Sequence, residues 1–154
     1  MIEPPAPRDH IVTLIHHAAN CSDALPPNSL SALKRCFSNG AAAVEIDVIP
    51  LADGSLALLH DPDLATLTTG TGNASRMQRN QVDNLHYKLN NTVTEEKVGF
   101  LDNAIRLLQA YPKTQRLQLD FKPFTPLTPT LLANLMDMIA PVIDRVQVSS
   151  VADW

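Results

Sequence analysis

Aromatic residues, glycine and charge are all scarce in this sequence. Phe, Trp and Tyr together make up 5% of its 154 residues, and glycine occurs five times. That excludes a glycine-repeat fibre or a flexible glycine-rich array and leaves the core to aliphatic side chains. Charged residues account for only 18%, against 45% hydrophobic, which excludes a disordered chain. Sixteen acids outnumber twelve Lys and Arg, for a net charge of −4 and no basic cluster. Nucleic acid and anionic membrane surfaces are therefore excluded as main partners. No apolar run approaches the ~18 residues of a transmembrane helix. Cysteine is limited to Cys21 and Cys36, which have neither metal-ligand spacing nor the numbers of a disulfide framework. The opening "MIEPPAPRDH" has no basic start and no apolar stretch, so it does not read as a secretory signal. A cytoplasmic protein with a small-molecule ligand is the expectation.

Proline is plentiful, at twelve residues. The proline-bearing start predicts a loose tail over residues 1–9, with one domain over residues 10–154. "IVTLIHH" reads as a strand ending at His16 and His17. In "NSLSALKRCFSNG", Leu30, Leu33 and Phe37 recur at helical spacing, Asn28 or Ser29 suits the N-cap, and Gly40 suits the stop. "AAAVEIDVI" is a second strand, so the chain begins with a strand–helix–strand unit typical of a parallel sheet. Asp53-Gly54 predicts a two-residue hairpin turn into a third strand, "SLALLH", in a register that sets Asp47 opposite His60. Residues 61–91 read as a long irregular connection with a short helix around Met77 to Leu85. An amphipathic helix through Leu101, Ile105 and Leu108, the strand "RLQLDFK", a helix in "TLLANLMDMIAPVI" and the strand "RVQVSS" complete the pattern.

Chemically able side chains gather at the ends of these strands. His16 and His17 close the first. Glu45 and Asp47, two apart, share one face of the second, with Val44, Ile46 and Val48 on the other. His60 ends the third, and Asp120 and Lys122 share a face of "RLQLDFK". In parallel α/β architectures, ligand sites collect at the carboxyl ends of strands. Three converging carboxylates suit a hard divalent cation, Mg²⁺ or Ca²⁺, which offsets their desolvation and mutual repulsion. Two histidines beside such an ion suit proton transfer, and a lysine suits a phosphate oxygen. The combination points to metal-assisted phosphoryl transfer or phosphoester cleavage. Each piece alone is ordinary: "ExD" is common on exposed strand faces, and "LDFK" suits a surface ion pair. Gly70 and Gly72 lack the spacing of either nucleotide-binding glycine pattern.

Taken in order, these residues resemble the glycerophosphodiester phosphodiesterase family from about Ile11 onward. His16-His17-Ala18 stands at the family's His-Arg-Gly, and "PPNS", with Asn28, at its Pro-Glu-Asn-Thr. Glu45 and Asp47 match its Glu-x-Asp, and Asp53-Gly54 its turn. "HDPDLATLTTGTG" is close to its His-Asp-Pro followed by Thr-Thr-x-Gly-Thr-Gly. "LDFK" stands at a later Glu-x-Lys. The resemblance implies a TIM (β/α)₈ barrel of the phospholipase C-like phosphodiesterase type. It implies His16 and His60 as the acid/base pair and Glu45, Asp47 and Asp120 as ligands of the divalent cation. It implies substrate contacts from His17, Asn28 and Lys122, in a hydrolysis that frees an alcohol from sn-glycerol 3-phosphate.

The match departs from the family pattern in places. His17 stands where an arginine grips phosphate, and an imidazole is no bidentate fork. Ala18 stands for a glycine, "PPNS" lacks the glutamate, and Asp120 replaces a glutamate. A missing arginine and an aspartate ligand are also found in sphingomyelinase D-like lipid phosphodiesterases or lyases, the alternative enzymatic reading. A non-catalytic barrel relative that binds a phosphorylated ligand is the alternative outside enzymes. A full barrel takes ~250 residues, so about the first half is expected here. An open half-barrel leaves strand edges unpaired, so the expectation is that the native protein continues, that this chain is a fragment, or that two copies pair into a homo-oligomer, truncation fitting best.

Overall fold

The computed structural model describes residues 13–113, 115–122 and 127–150. The expected tail, His10, the start of the first strand at Ile11 and the proline-rich break at residues 123–126 lie outside them. Its frame is a parallel sheet of β1 (Ile15–His16), β2 (Ala43–Pro50), β6 (Arg116–Phe121) and β7 (Val146–Ser150), in the spatial order β1-β2-β6-β7. Helices α1 (Leu30–Ser38), α4 (Leu101–Gln109) and α5 (Pro129–Ile139) run between successive parallel strands. That alternation of strand and helix is what a parallel sheet requires.

Local sequence explains the helices. Ser29 caps α1 by accepting the Ala32 N–H at 3.1 Å, and Gly40 takes φ +81° just past the end. Thr128 does the same for α5 through the Leu131 N–H at 3.2 Å, with Pro129 as the first helical residue. Leu33 and Phe37 of α1, Leu101, Ile105 and Leu108 of α4, and Leu131 and Leu135 of α5 are buried. They pack on Val44, Ile46, Val48, Leu117, Leu119 and Phe121 from one face of the sheet. The period-two pattern of β2 and β6 thus sends these six side chains to the helices and Glu45, Asp47, Gln118 and Asp120 to the other face.

Two expectations are corrected. The turn after β2 holds three residues, not two. Leu51 N–H bonds to Ser55 O at 2.8 Å and Gly54 N–H to Leu51 O at 3.0 Å, with Gly54 at φ +82°. β3 (Leu56–Ala57) therefore pairs Ile49 with Ala57 and Pro50 with Leu56. This is one residue away from the register that sets Asp47 opposite His60, and β3 ends before reaching either. A three-residue loop with its last residue left-handed is the next most common hairpin closure.

The segment expected to be irregular is also more ordered. Short helices α2 (Leu64–Leu67) and α3 (Arg79–Val82) precede an antiparallel hairpin, β4 (His86–Leu89) and β5 (Thr92–Lys97). Asn90 and Asn91 turn this hairpin at φ +50° and +63°, the left-handed pair of a type I′ turn. A second core of Ile49, Leu51, Leu59, Leu64, Val82, Tyr87, Val98 and Phe100 anchors the segment beside the carboxyl end of β2. Gly70, one of the discounted glycines, has a packing role: a Cβ there would lie 2.5 Å from Leu85 Cδ1 and 3.3 Å from Leu64.

Candidate active site

The polar face of β2 meets that of β6 in parallel register, Glu45 beside Gln118 and Asp47 beside Asp120. Both β2 acids are buried, and Asp47 is wholly inaccessible. Burial of this kind costs several kcal/mol per ion unless compensated, and the compensation is specific. Asn28 clamps Asp47 twice: its Nδ2 donates to Asp47 Oδ2 at 2.8 Å, and its Oδ1 accepts the Asp47 N–H at 2.9 Å. Lys122 Nζ lies 2.6 Å from Asp47 Oδ1 and 2.7 Å from Asp120 Oδ2. Of these two contacts, only the one to Asp120 has hydrogen-bond geometry, so the Asp47 contact is an ion pair without a directed bond. Burial alone would lower the Lys122 pKa, but the hydrogen bond to Asp120 and the charges of Asp47 and Asp120 outweigh it and raise the pKa.

Glu45 is less well served. Its Oε2 accepts the Ala18 N–H at 2.6 Å, while Oε1 is buried with no partner. Burial raises its pKa; the Ala18 bond opposes this and the Asp47 charge adds to it. Three carboxylates against one ammonium leave this pocket of the sheet short of positive charge.

The structure differs from expectation on which histidine and which third ligand join the pair. His16 is level with Val44 in the β1–β2 ladder. Val44 points to the helices, so His16 does too. It lines an open cavity of about 890 Å³ with Cys21, Cys36 and Asn39, away from the acids. The chain then turns through a 3₁₀ segment, His17–Ala19, with Ala18 and Ala19 both at φ +51°. This turn brings His17 Nε2 to 3.7 Å from Glu45 Oε2. His17, Glu45 and Asp47 each offer a ligand atom within 4.8 Å of the others. Asp120 is not in that set, because its oxygens go to Lys122 at 2.7 Å and Ser149 Oγ at 3.3 Å.

His60 is brought to the site despite the changed register. It lines a cavity of about 240 Å³ with Asn28, Asp47, Pro26, Leu59 and Tyr87. Its Nδ1 lies 3.0 Å from Asp61 Oδ1. Asn28 and Lys122, expected as substrate contacts, are both engaged on Asp47. Sequence reading overlooked Tyr87, whose buried hydroxyl donates to Leu58 O at 2.6 Å and accepts the Gly99 N–H at 3.2 Å. It also overlooked Lys88 beside it. The alternation around Asn90-Asn91 was the signal for both.

Residues 20–145 match the model of the glycerophosphoryl diester phosphodiesterase family. The chain belongs to that family. Glycerophosphodiester phosphodiesterase 1 of Bos taurus is 36% identical over 103 residues, 64% of this chain and 30% of that protein. Its Homo sapiens counterpart is 32% identical over the same spans. Among solved structures, a glycerophosphodiester phosphodiesterase from Agrobacterium tumefaciens is similar at TM-score 0.75 and 23% identity, covering 93% of this chain and 58% of that one. An Oleispira antarctica phosphodiesterase in complex with the product sn-glycerol-3-phosphate is similar at TM-score 0.76 and 23% identity, covering 92% and 58%. The fold is that of the family's TIM barrel, and the four parallel strands described here are half of an eight-stranded one. The chain spans under a third of the length of the curated relatives it matches. Among the described residues, no helix is long and apolar enough to cross a membrane.

Proposed function

We propose that this chain carries the acid/base and cation-binding part of an enzyme that hydrolyses glycerophosphodiesters to sn-glycerol 3-phosphate and an alcohol. One observation carries the reading. The buried Glu45–Asp47 pair keeps Glu45 Oε1 without any partner and leaves Asp47 Oδ1 with the Lys122 ammonium alone, while His17 lies at Glu45 and His60 lines a cavity with Asp47. Unpartnered buried carboxylate oxygens are costly for the fold alone and useful to a cation.

Glu45 and Asp47 fit Mg²⁺ or Ca²⁺, which favour oxygen ligands; Asp120 is the further oxygen donor on the neighbouring strand. Such an ion polarises a phosphoryl oxygen and neutralises developing charge. The preference for oxygen leaves His17 as a proton carrier rather than a ligand. Asp61 orients His60 through Nδ1, leaving Nε2 to exchange a proton with substrate. One imidazole takes the proton of the attacking hydroxyl or water, and the other returns a proton to the departing alkoxide. The family motif, read from His17, leaves Ala18 at the arginine position. There the backbone N–H holds Glu45, and that position offers no guanidinium to a phosphate. The substrate so read is a small soluble diester, in keeping with a cytoplasmic enzyme of lipid breakdown.

Release of glycerol phosphate from glycerophosphocholine, with Mg²⁺, Ca²⁺ or chelator, tests this. Turnover should need the ion and should vanish in His17→Ala and His60→Ala while surviving in His16→Ala. Survival in His17→Ala with loss in His16→Ala would overturn the histidine assignment. No turnover with either ion would overturn the hydrolytic reading.

A further inference from the structure

The cavity of about 240 Å³ that Asp47 and His60 line is walled for the rest mostly by groups with no part in the reaction. Pro26, Pro27, Leu58, Leu59, Leu67 and Tyr87 make that wall apolar, and Lys88 supplies a cation. The other charged groups lining the cavity are matched. Asp47 has Lys122 at 2.6 Å, and Asp61 has His60 at 3.0 Å. Lys88 has no carboxylate partner among the described residues. Its ammonium donates to the neutral Ala65 carbonyl at 3.0 Å, which fixes its position without cancelling its charge. The helix that accepts this bond, α2, also contributes Leu67 to the same wall.

An ammonium held beside an apolar cavity wall sorts ligands by charge. A quaternary ammonium finds no aromatic cage here, because Tyr87 is the one Phe, Trp or Tyr among the described lining residues. An anionic substituent finds a cation with no competing carboxylate among the described residues, beside a largely apolar wall.

We propose that Lys88 sets substrate preference: of the glycerophosphodiesters this site takes, it favours those whose alcohol carries an additional negative charge and disfavours those with a cationic alcohol. This rests on the hydrolytic reading above and adds the substrate class. Lys88 binds the substituent and takes no part in bond breaking, so its effect belongs in KM.

The experiment compares glycerophosphoinositol phosphate with glycerophosphocholine on the full chain with Mg²⁺, by turnover and by calorimetric titration. Wild type should favour the anionic diester, more strongly at low salt. Lys88→Met should shrink that preference about threefold and Lys88→Glu about tenfold or more, through KM with kcat little changed, while Lys88→Arg retains it. Folding of each variant is checked by circular dichroism, and the mild Met change provides the second reading should Glu fail to fold. Turnover with an unaltered preference in these variants would overturn the proposal and leave the hydrolytic reading standing. Lys88-dependent binding without turnover would support it and overturn the hydrolysis. Binding of neither diester would overturn both.

Discussion

Asn28 offers the most direct measure of what holds the buried acids in place. Its side chain makes two hydrogen bonds to Asp47, and its backbone sits at φ +63°, where asparagine and glycine are tolerated and β-carbon-bearing residues are strained. Asn28→Gly removes both bonds and relaxes the backbone. One lost bond is to a backbone N–H, worth about 1 kcal/mol, and the other is to a carboxylate, worth about 2 kcal/mol, so a loss of ~3 kcal/mol is expected. Asn28→Ala loses the same bonds and adds ~1 kcal/mol of left-handed strain. Asn28→Asp is expected to be worst at neutral pH, since it sets a second carboxylate against Asp47, and to recover on acidification. Urea unfolding with an unchanged m-value is the assay. For a domain stable by ~5–15 kcal/mol, these losses are large. A Gly variant as stable as wild type would refute the view that Asn28 compensates Asp47. An Ala variant no worse than the Gly variant would refute the strain component.

Other expectations concern groups away from the acids. Burial and the neighbouring Cys21 push the Cys36 thiol up to about 12, so it should resist iodoacetamide at pH 8 until the chain unfolds; mass mapping of the alkylated thiol checks this. The hydrogen bond from the Arg79 N–H at 2.8 Å is the largest influence on Asp53 and lowers its pKa below the ordinary 3.8. Its contribution to stability is therefore present above about pH 4 and lost as pH falls through the lowered value. The stability gap between wild type and Asp53→Asn, followed by thermal melts against pH, should close in that acidic range. Gly70→Ala should cost ~1–3 kcal/mol by overpacking against Leu85 and Leu64, with Leu85→Ala restoring part of the loss in a double-mutant cycle.

Much of the frame was legible because it rests on periodicity. Alternation in β2 and β6 assigned each side chain to the correct face, and the Ser29 and Gly40 signals bounded α1 as capping chemistry predicts, while the Thr128-Pro129 start of α5 went unread. Errors came where a one-residue choice decides a face. Two adjacent histidines are equivalent in sequence, and only the register of β1 against Val44 shows that His16 lies on the helix side while a left-handed turn carries His17 to Glu45. Likewise, a two-residue and a three-residue turn at Asp53-Gly54 look alike, yet they shift the pairing by one. The β4–β5 hairpin escaped notice because Asn-Asn is a weaker turn signal than Asn-Gly. Lys122's engagement with two carboxylates needed the β2–β6 register, which joins residues remote in the chain.

The eight residues of β2 are all buried, yet they answer to two different rules. Val44, Ile46 and Val48 are held by volume alone, so aliphatic exchanges at those sites should be absorbed. Glu45 and Asp47 are held by charge, reach and partner geometry, so that even Glu-for-Asp swaps misplace an oxygen. Substitution tolerance along this strand should therefore rise and fall with every step, and burial by itself would give no hint of it.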